Sequence, residues 1–75
     1  MAGATPVYQR IIDDIETKIR TGELQASQRL ASLSELTLTY RCSEQPVKTA
    51  LRLLQYVGVL YGHQGRGVYV GARRP

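Results

Sequence analysis

The sequence predicts a mainly α chain closed by a small β-hairpin, and three observations carry that expectation. Apolar residues recur at helical spacing from Tyr8 to Ile19 and again from Val47 to Leu54. Between them, Ser32-Leu33-Ser34-Glu35 opens a short helical pattern that ends at Arg41-Cys42, leaving only a tight turn before the next helix. After Gly58, two β-rich runs flank Gln64-Gly65-Arg66-Gly67. Helix, turn, helix and basic hairpin together outline a winged helix-turn-helix: three helices plus a two- to three-stranded antiparallel wing.

Size bounds what such a chain does. Seventy-five residues make one domain, and a domain this small buries only about 60% of the surface of its unfolded chain, which leaves no room for a separate catalytic unit. The expected division is a leader over residues 1–6, the folded unit over 7–70 and a tail or start of a linker over 71–75. No apolar run approaches the roughly 18 residues of a membrane span. Met1-Ala2-Gly3-Ala4-Thr5-Pro6 lacks the charged and apolar regions of a secretory signal, so a cytoplasmic location is expected. The single Cys42 and single His63 do not reach any zinc-ligand spacing. Cys42 is expected as a small buried thiol, His63 and Tyr61 as strand residues, and neither metal nor cofactor is expected. No pair of titratable side chains has the spacing of an acid–base couple, so an enzyme is not expected.

Thr5 is expected to cap the first helix, with Pro6 as its first residue. Tyr8, Ile11, Ile12, Ile15 and Ile19 then form one apolar stripe, and Gly22 ends it. Leu24 through Arg29 read as a polar connection, with Leu30 pinning a short extended segment to the wing. In the second helix, Ser32 and Glu35 form a capping box, and Leu36 and Tyr40 supply the buried side. Leu38 falls off that stripe and is expected at the surface. Ser43 is expected to cap a third helix over 43–57, with Pro46 tolerated in the first turn, where amides have no intrahelical partner. Val47, Ala50, Leu51 and Leu54 fall on one side of this helix, and Gln45, Lys48, Thr49 and Arg52 project from the other. Gly58 closes it. Val59-Leu60-Tyr61 and Val68-Tyr69-Val70 read as strands around the Gly65 to Gly67 tip.

Charge follows this organisation. Residues 1–28 hold three bases against four acids, a balance of −1, whereas residues 29–75 hold seven against two, a balance of +5. The basic half is the half that contains the turn and the hairpin, as a nucleic-acid footprint requires. An exposed helix with donors on its outer face fits the major groove of DNA, and Arg66, flanked by glycines, reaches a phosphate or minor groove. Ser32 is first a cap, and the amide-rich helix end it sits on is secondarily a phosphate seat.

The spacing Leu30-x-Ser32, Glu35-Leu36, Tyr40, Ser43-x-x-Pro46-Val47-Lys48-x-Ala50-Leu51, Leu54, Gly58 and Gln64-Gly65-Arg66-Gly67-x-Tyr69-Val70 resembles the winged-helix domain of GntR-type (gluconate-repressor) transcription regulators. The first helix, from Tyr8 through Ile19-Arg20-x-Gly22-x-Leu24, fits as well, so the likeness covers residues 7 to 70. It implies a third helix in the major groove and a wing on the adjacent minor groove or backbone. Ser34, Ser43, Glu44, Gln45, Lys48 and Gly65 with its neighbours are the positions it carries over. This chain departs from the family at Ser34 and Glu44, where arginine is usual, at Ala31, where proline is, and at Arg41, where glycine is.

These readings together place Ser32, Ser34, Arg41, Ser43, Glu44, Gln45, Lys48, Thr49 and Arg52, with Gln64, Gly65, Arg66 and Gly67, against double-stranded DNA. The expected role is that of a repressor on a palindromic operator, bound as a homodimer, with no effector site within this chain. Glu44 either accepts from cytosine N4 or pairs with Lys48 four residues on. The missing arginines keep a second reading open, in which the winged helix is a protein-interaction or nonspecific nucleic-acid module.

Overall fold

A computed structural model of the chain describes residues 5–63 and 67–71. Residues 1–4 of the expected leader, the tip Gln64-Gly65-Arg66 and residues 72–75 of the expected tail lie outside the described residues. The elements are α1 (Val7–Arg20), α2 (Leu33–Tyr40), α3 (Glu44–Tyr56), β1 (Leu60–His63) and β2 (Gly67–Val70). The strands pair antiparallel, with Leu60 opposite Val70 and His63 opposite Gly67. The hairpin therefore reaches further than the sequence pattern suggests, and Gly67 belongs to a strand.

Helix α1 begins one residue later than expected. Pro6 adopts φ −56° and ψ 148°, and its carbonyl accepts from the N–H groups of Gln9 and Arg10. It is the N-cap, and Thr5 makes no cap bond. An extended ψ with φ already locked suits the half-in residue that precedes a helix as well as it suits the first helical one. At the other end Gly22 follows the Thr21 cap at φ +88°, and its N–H returns to the Ile19 carbonyl. This left-handed exit is the termination the sequence predicts.

The core is built from one stripe of each element. Ile11 and Ile15 of α1, Leu36 of α2, Val47, Ala50, Leu51 and Leu54 of α3, and Leu60 and Val70 of the hairpin are buried together with Leu30. Helix α3 is the hub, packing on α1, α2 and β1. Truncating a hub residue such as Leu54 to alanine costs about 2–5 kcal/mol, a large part of the ~5–15 kcal/mol that holds a whole domain. Cys42 packs half-buried against this core and is less enclosed than expected. Leu38 is 78% exposed, as its position off the stripe predicts.

The segment before α2 acts as a partial third strand. Arg29 forms an isolated bridge with Tyr69, Leu30 N–H donates to the Val68 carbonyl, and Val70 N–H donates to the Gln28 carbonyl. Leu30 thus pins this segment to the wing. Ser32 then caps α2 with the full capping box: its hydroxyl accepts from the Glu35 N–H at 3.2 Å, and its own N–H donates to the Glu35 carboxylate at 3.0 Å.

One polar contact ties α1 to α2. The Tyr40 hydroxyl donates to Asp14 Oδ2 at 2.6 Å, and Lys18 Nζ lies 3.3 Å from the same oxygen. The Tyr40 bond, which outweighs the opposing effect of partial burial and is helped by Lys18, holds Asp14 below the usual carboxylate range. Burial, and then the same bond, push the Tyr40 hydroxyl up. A lowered carboxylate contributes stability that is complete above its unfolded pKa and is lost as pH falls through the folded one. Tyr40→Phe should accordingly destabilise the chain by about 1 kcal/mol near neutral pH. In urea denaturation the gap to wild type should close as pH falls through the Asp14 titration. A gap that persists undiminished in acid contradicts this role for the hydrogen bond.

Candidate nucleic-acid interface

Because α3 buries Val47, Ala50, Leu51 and Leu54, its opposite side must face outward. Gln45, Lys48 and Arg52 are exposed and Thr49 is half-buried. Glu44, the first helical residue, is exposed and pairs with Lys48 at 3.7 Å. Its carboxylate also sits at the positive end of the helix dipole, a favourable place for an acid. Among the described residues, Arg52 on this outer face has no ion-pair partner, while Lys48 is shared between Glu44 and solvent.

Ser43 is the N-cap of α3, as expected, but its side chain makes no cap hydrogen bond. A capping hydroxyl normally accepts from the second or third amide of the helix. The third residue here is Pro46, which has no N–H, so one of the two usual targets is missing. Ser43 consequently presents an exposed hydroxyl beside a helix N-terminus, a place where backbone amides favour anions. The helix itself spans Glu44–Tyr56, with Ser43 and Val57 as its flanking caps.

The start of α2 supplies a second polar end. Ser32 is committed to its capping box and is half-buried, whereas Ser34 is exposed. The connection to α3 passes through Arg41, which is exposed and sits in the left-handed region at φ 54°, ψ 54°. A side chain other than glycine there costs about 1–3 kcal/mol.

On the wing side, Lys48, Arg52 and Gln55 of α3 meet Leu33 and Val68 around a shallow open hollow floored by Leu51. The basic side of α3 and strand β2 are thus neighbours. Gln55 lies over Gly62, where an added β-carbon would fall 3.1 Å from its Oε1. On the other face of the hairpin, the rings of Tyr61 and Tyr69 stack with centroids 5.7 Å apart. A β-carbon on Gly67 would fall 3.3 Å from Arg29 Nε. Arg29, Leu33, Gln55 and Val68 escaped the sequence reading of this surface. The one available signal was strand alternation: if Leu30 points inward, Arg29 points outward beside the wing. Of the expected wing residues, Gly67 is placed, exposed and at φ +106°; Gln64, Gly65 and Arg66 lie outside the described residues.

The profile of bacterial regulatory proteins of the gntR family matches residues 7–70. The chain belongs to the GntR family. This GntR chain is 37% identical over 65 residues to the HTH-type transcriptional repressor NagR of Bacillus subtilis (strain 168), covering 87% of this chain and 27% of that protein. It is 36% identical over 72 residues to the mannosyl-D-glycerate transport/metabolism system repressor MngR of Escherichia coli (strain K12), covering 96% of this chain and 30% of that protein. The GntR chain therefore spans under a third of the length of these curated relatives. Among solved structures, a transcriptional regulator from Oenococcus oeni superposes with a TM-score of 0.91 at 25% identity, covering 97% of this chain and 61% of that one. AraR(DBD) in complex with operator ORR3 superposes with a TM-score of 0.89 at 25% identity, covering 95% of this chain and 86% of that one.

The Arg41 geometry yields a test that needs no ligand. Arg41→Gly should raise the stability of this GntR chain by about 1 kcal/mol, because glycine adopts the left-handed region without steric cost. Thermal or urea unfolding of the pair checks it, and a loss of stability contradicts the strain assigned to this turn.

Proposed function

We propose that the chain is a sequence-selective double-stranded DNA-binding module of a GntR-type transcription regulator. Helix α3 lies in the major groove and the wing lies on the minor groove or backbone. The observation that carries this reading is the two-sided character of α3: an apolar stripe locked into the core, and an outer side of Gln45, Lys48, Thr49 and Arg52 that meets the wing at the hollow near Val68. AraR(DBD), which shares the fold, is solved in complex with an operator, and NagR and MngR are named as repressors.

In this reading Arg52 and Lys48 contact phosphate, Gln45 and Thr49 read base edges, and Ser43, Ser34 and Ser32 present hydroxyls or amides at helix ends to the backbone. Arg41 flanks them from the turn, and Gln64, Gly65, Arg66 and Gly67 form the wing contact. The role is repression at a palindromic operator, read by two copies related by a two-fold axis. The chain works in the cytoplasm without catalysis, cofactor or effector site of its own. Among the described residues no helix is long and apolar enough to cross a membrane.

A second reading, a protein-interaction or nonspecific nucleic-acid module, draws on the exposed Leu38, Tyr56 and Val57 and on the Glu44–Lys48 pair that offsets charge on α3. Selection of genomic fragments by the purified chain, followed by a salt titration against a random duplex, separates the two. A regulator prefers its selected site and loses affinity steeply with salt. Equal binding to both duplexes, or none at low salt, supports the second reading.

Glu44 tunes this interface beside the base-reading Gln45 and Thr49. Replacing it with arginine removes a carboxylate that repels phosphate and releases Lys48. Glu44→Arg should raise affinity for random duplex roughly tenfold, the scale of one charge-assisted contact, and change the selected site. Unchanged affinity and preference in the same selection contradict a place for Glu44 at the duplex.

A further inference from the structure

The outer face of the hairpin carries a cation that the major-groove surface does not use. Arg29 and Tyr69 stand directly opposite each other, and Tyr69 stands opposite Tyr61, so the three side chains share one face. Leu60 and Val70, on the alternate face, are buried. Gly67, two residues before Tyr69, lies on the same face as Arg29. A β-carbon built there falls 3.3 Å from Arg29 Nε and 3.4 Å from Nη2. The guanidinium thus runs diagonally from its own strand position toward the tip and occupies the space a side chain at position 67 would need. Its residue is exposed.

We propose that Arg29 is a phosphate-binding residue of the wing, its guanidinium seated over Gly67 to donate to the duplex backbone where the hairpin meets it. This rests on the DNA-binding reading above. Three features support it. The backbone bonds of Leu30 and Val70 fix the Arg29 position relative to β2, so the cation is carried by the sheet and not by a free loop. Gly67 follows directly on the tip, which brings the guanidinium to the duplex end of the hairpin. A guanidinium has five N–H donors in a rigid fork, so it can hold its place against the chain through some and serve a phosphate oxygen with others. The contact is electrostatic and carries no sequence preference of its own.

The test compares wild type, Arg29→Gln and Arg29→Lys by fluorescence anisotropy across a salt series, on a selected site and a random duplex. Arg29→Gln should weaken binding to both duplexes alike and reduce the slope of log affinity against log salt by about 1. Arg29→Lys should keep that slope, because it keeps the charge. An unchanged slope in Arg29→Gln overturns the inference while the DNA-binding reading stands. If both variants weaken binding with the wild-type slope, the guanidinium only braces the hairpin, and the inference is again overturned. Wild type that binds neither duplex overturns the underlying reading, and this inference with it. Melting temperatures confirm that the variants are folded; if Arg29→Gln is not, a lower slope in Arg29→Lys than in wild type overturns the inference.

Discussion

The burial of one side of α3 locks the helix in place and, with it, everything packed around it. Val47, Ala50, Leu51 and Leu54 are held between α1, α2 and β1, and a helix cannot rotate without exposing that stripe. Each large aliphatic side chain is worth about 1.5–3 kcal/mol of burial, so even a partial rotation would consume much of the stability of so small a domain. The same constraint fixes where Gln45, Lys48 and Arg52 point. In the proposed function, contact with DNA falls to the part of the helix that the core leaves exposed.

The exposed side is less cationic than the composition implies. Glu44 pairs with Lys48, and the pair is open to solvent, so it is worth little to stability. In the proposed complex with DNA, the acid tempers attraction to phosphate, so binding there relies more on base contacts and shape. Arg52 beside the hollow and Arg29 on the outer face of the hairpin then bracket the wing from its two sides. Arg41 in a left-handed turn and Ser43 without its cap bond are local costs on this same surface, in keeping with strain collecting where chemistry must be displayed.

Much of the fold was legible because the local signals agreed. The Ile11 and Ile15 stripe, the Ser32–Glu35 capping box, the exits at Gly22 and Gly58 and the buried side of α3 all stand where the pattern put them. The misses have physical causes. Pro6 is compatible with both the cap and the first helical position, so the start of α1 was ambiguous by one residue. Gly62 and Gly67 have weak strand propensity, and the hairpin contains them because cross-strand pairing overrides that preference. Arg29 was hidden because its neighbours read as a connection, and only the pairing of Arg29 with Tyr69 reveals which side of a sheet it occupies. On the candidate surface, the sequence identified which residues α3 turns outward. It did not reveal that Gln55 and Val68 bridge helix and wing, since that contact joins segments with no local signal in common.

Recognition of the proposed kind requires α3 and the wing to meet the duplex together while α1 stays clear of it. Titration of the isotope-labelled chain with a selected duplex, followed by amide chemical shifts, tests this most directly. The largest shifts should fall at Gln45, Lys48, Thr49, Arg52 and Gly67, with Asp13, Glu16 and Thr17 on the outer side of α1 nearly unmoved. Shifts concentrated on α1, or an α3 that does not respond while the duplex is bound, would contradict it.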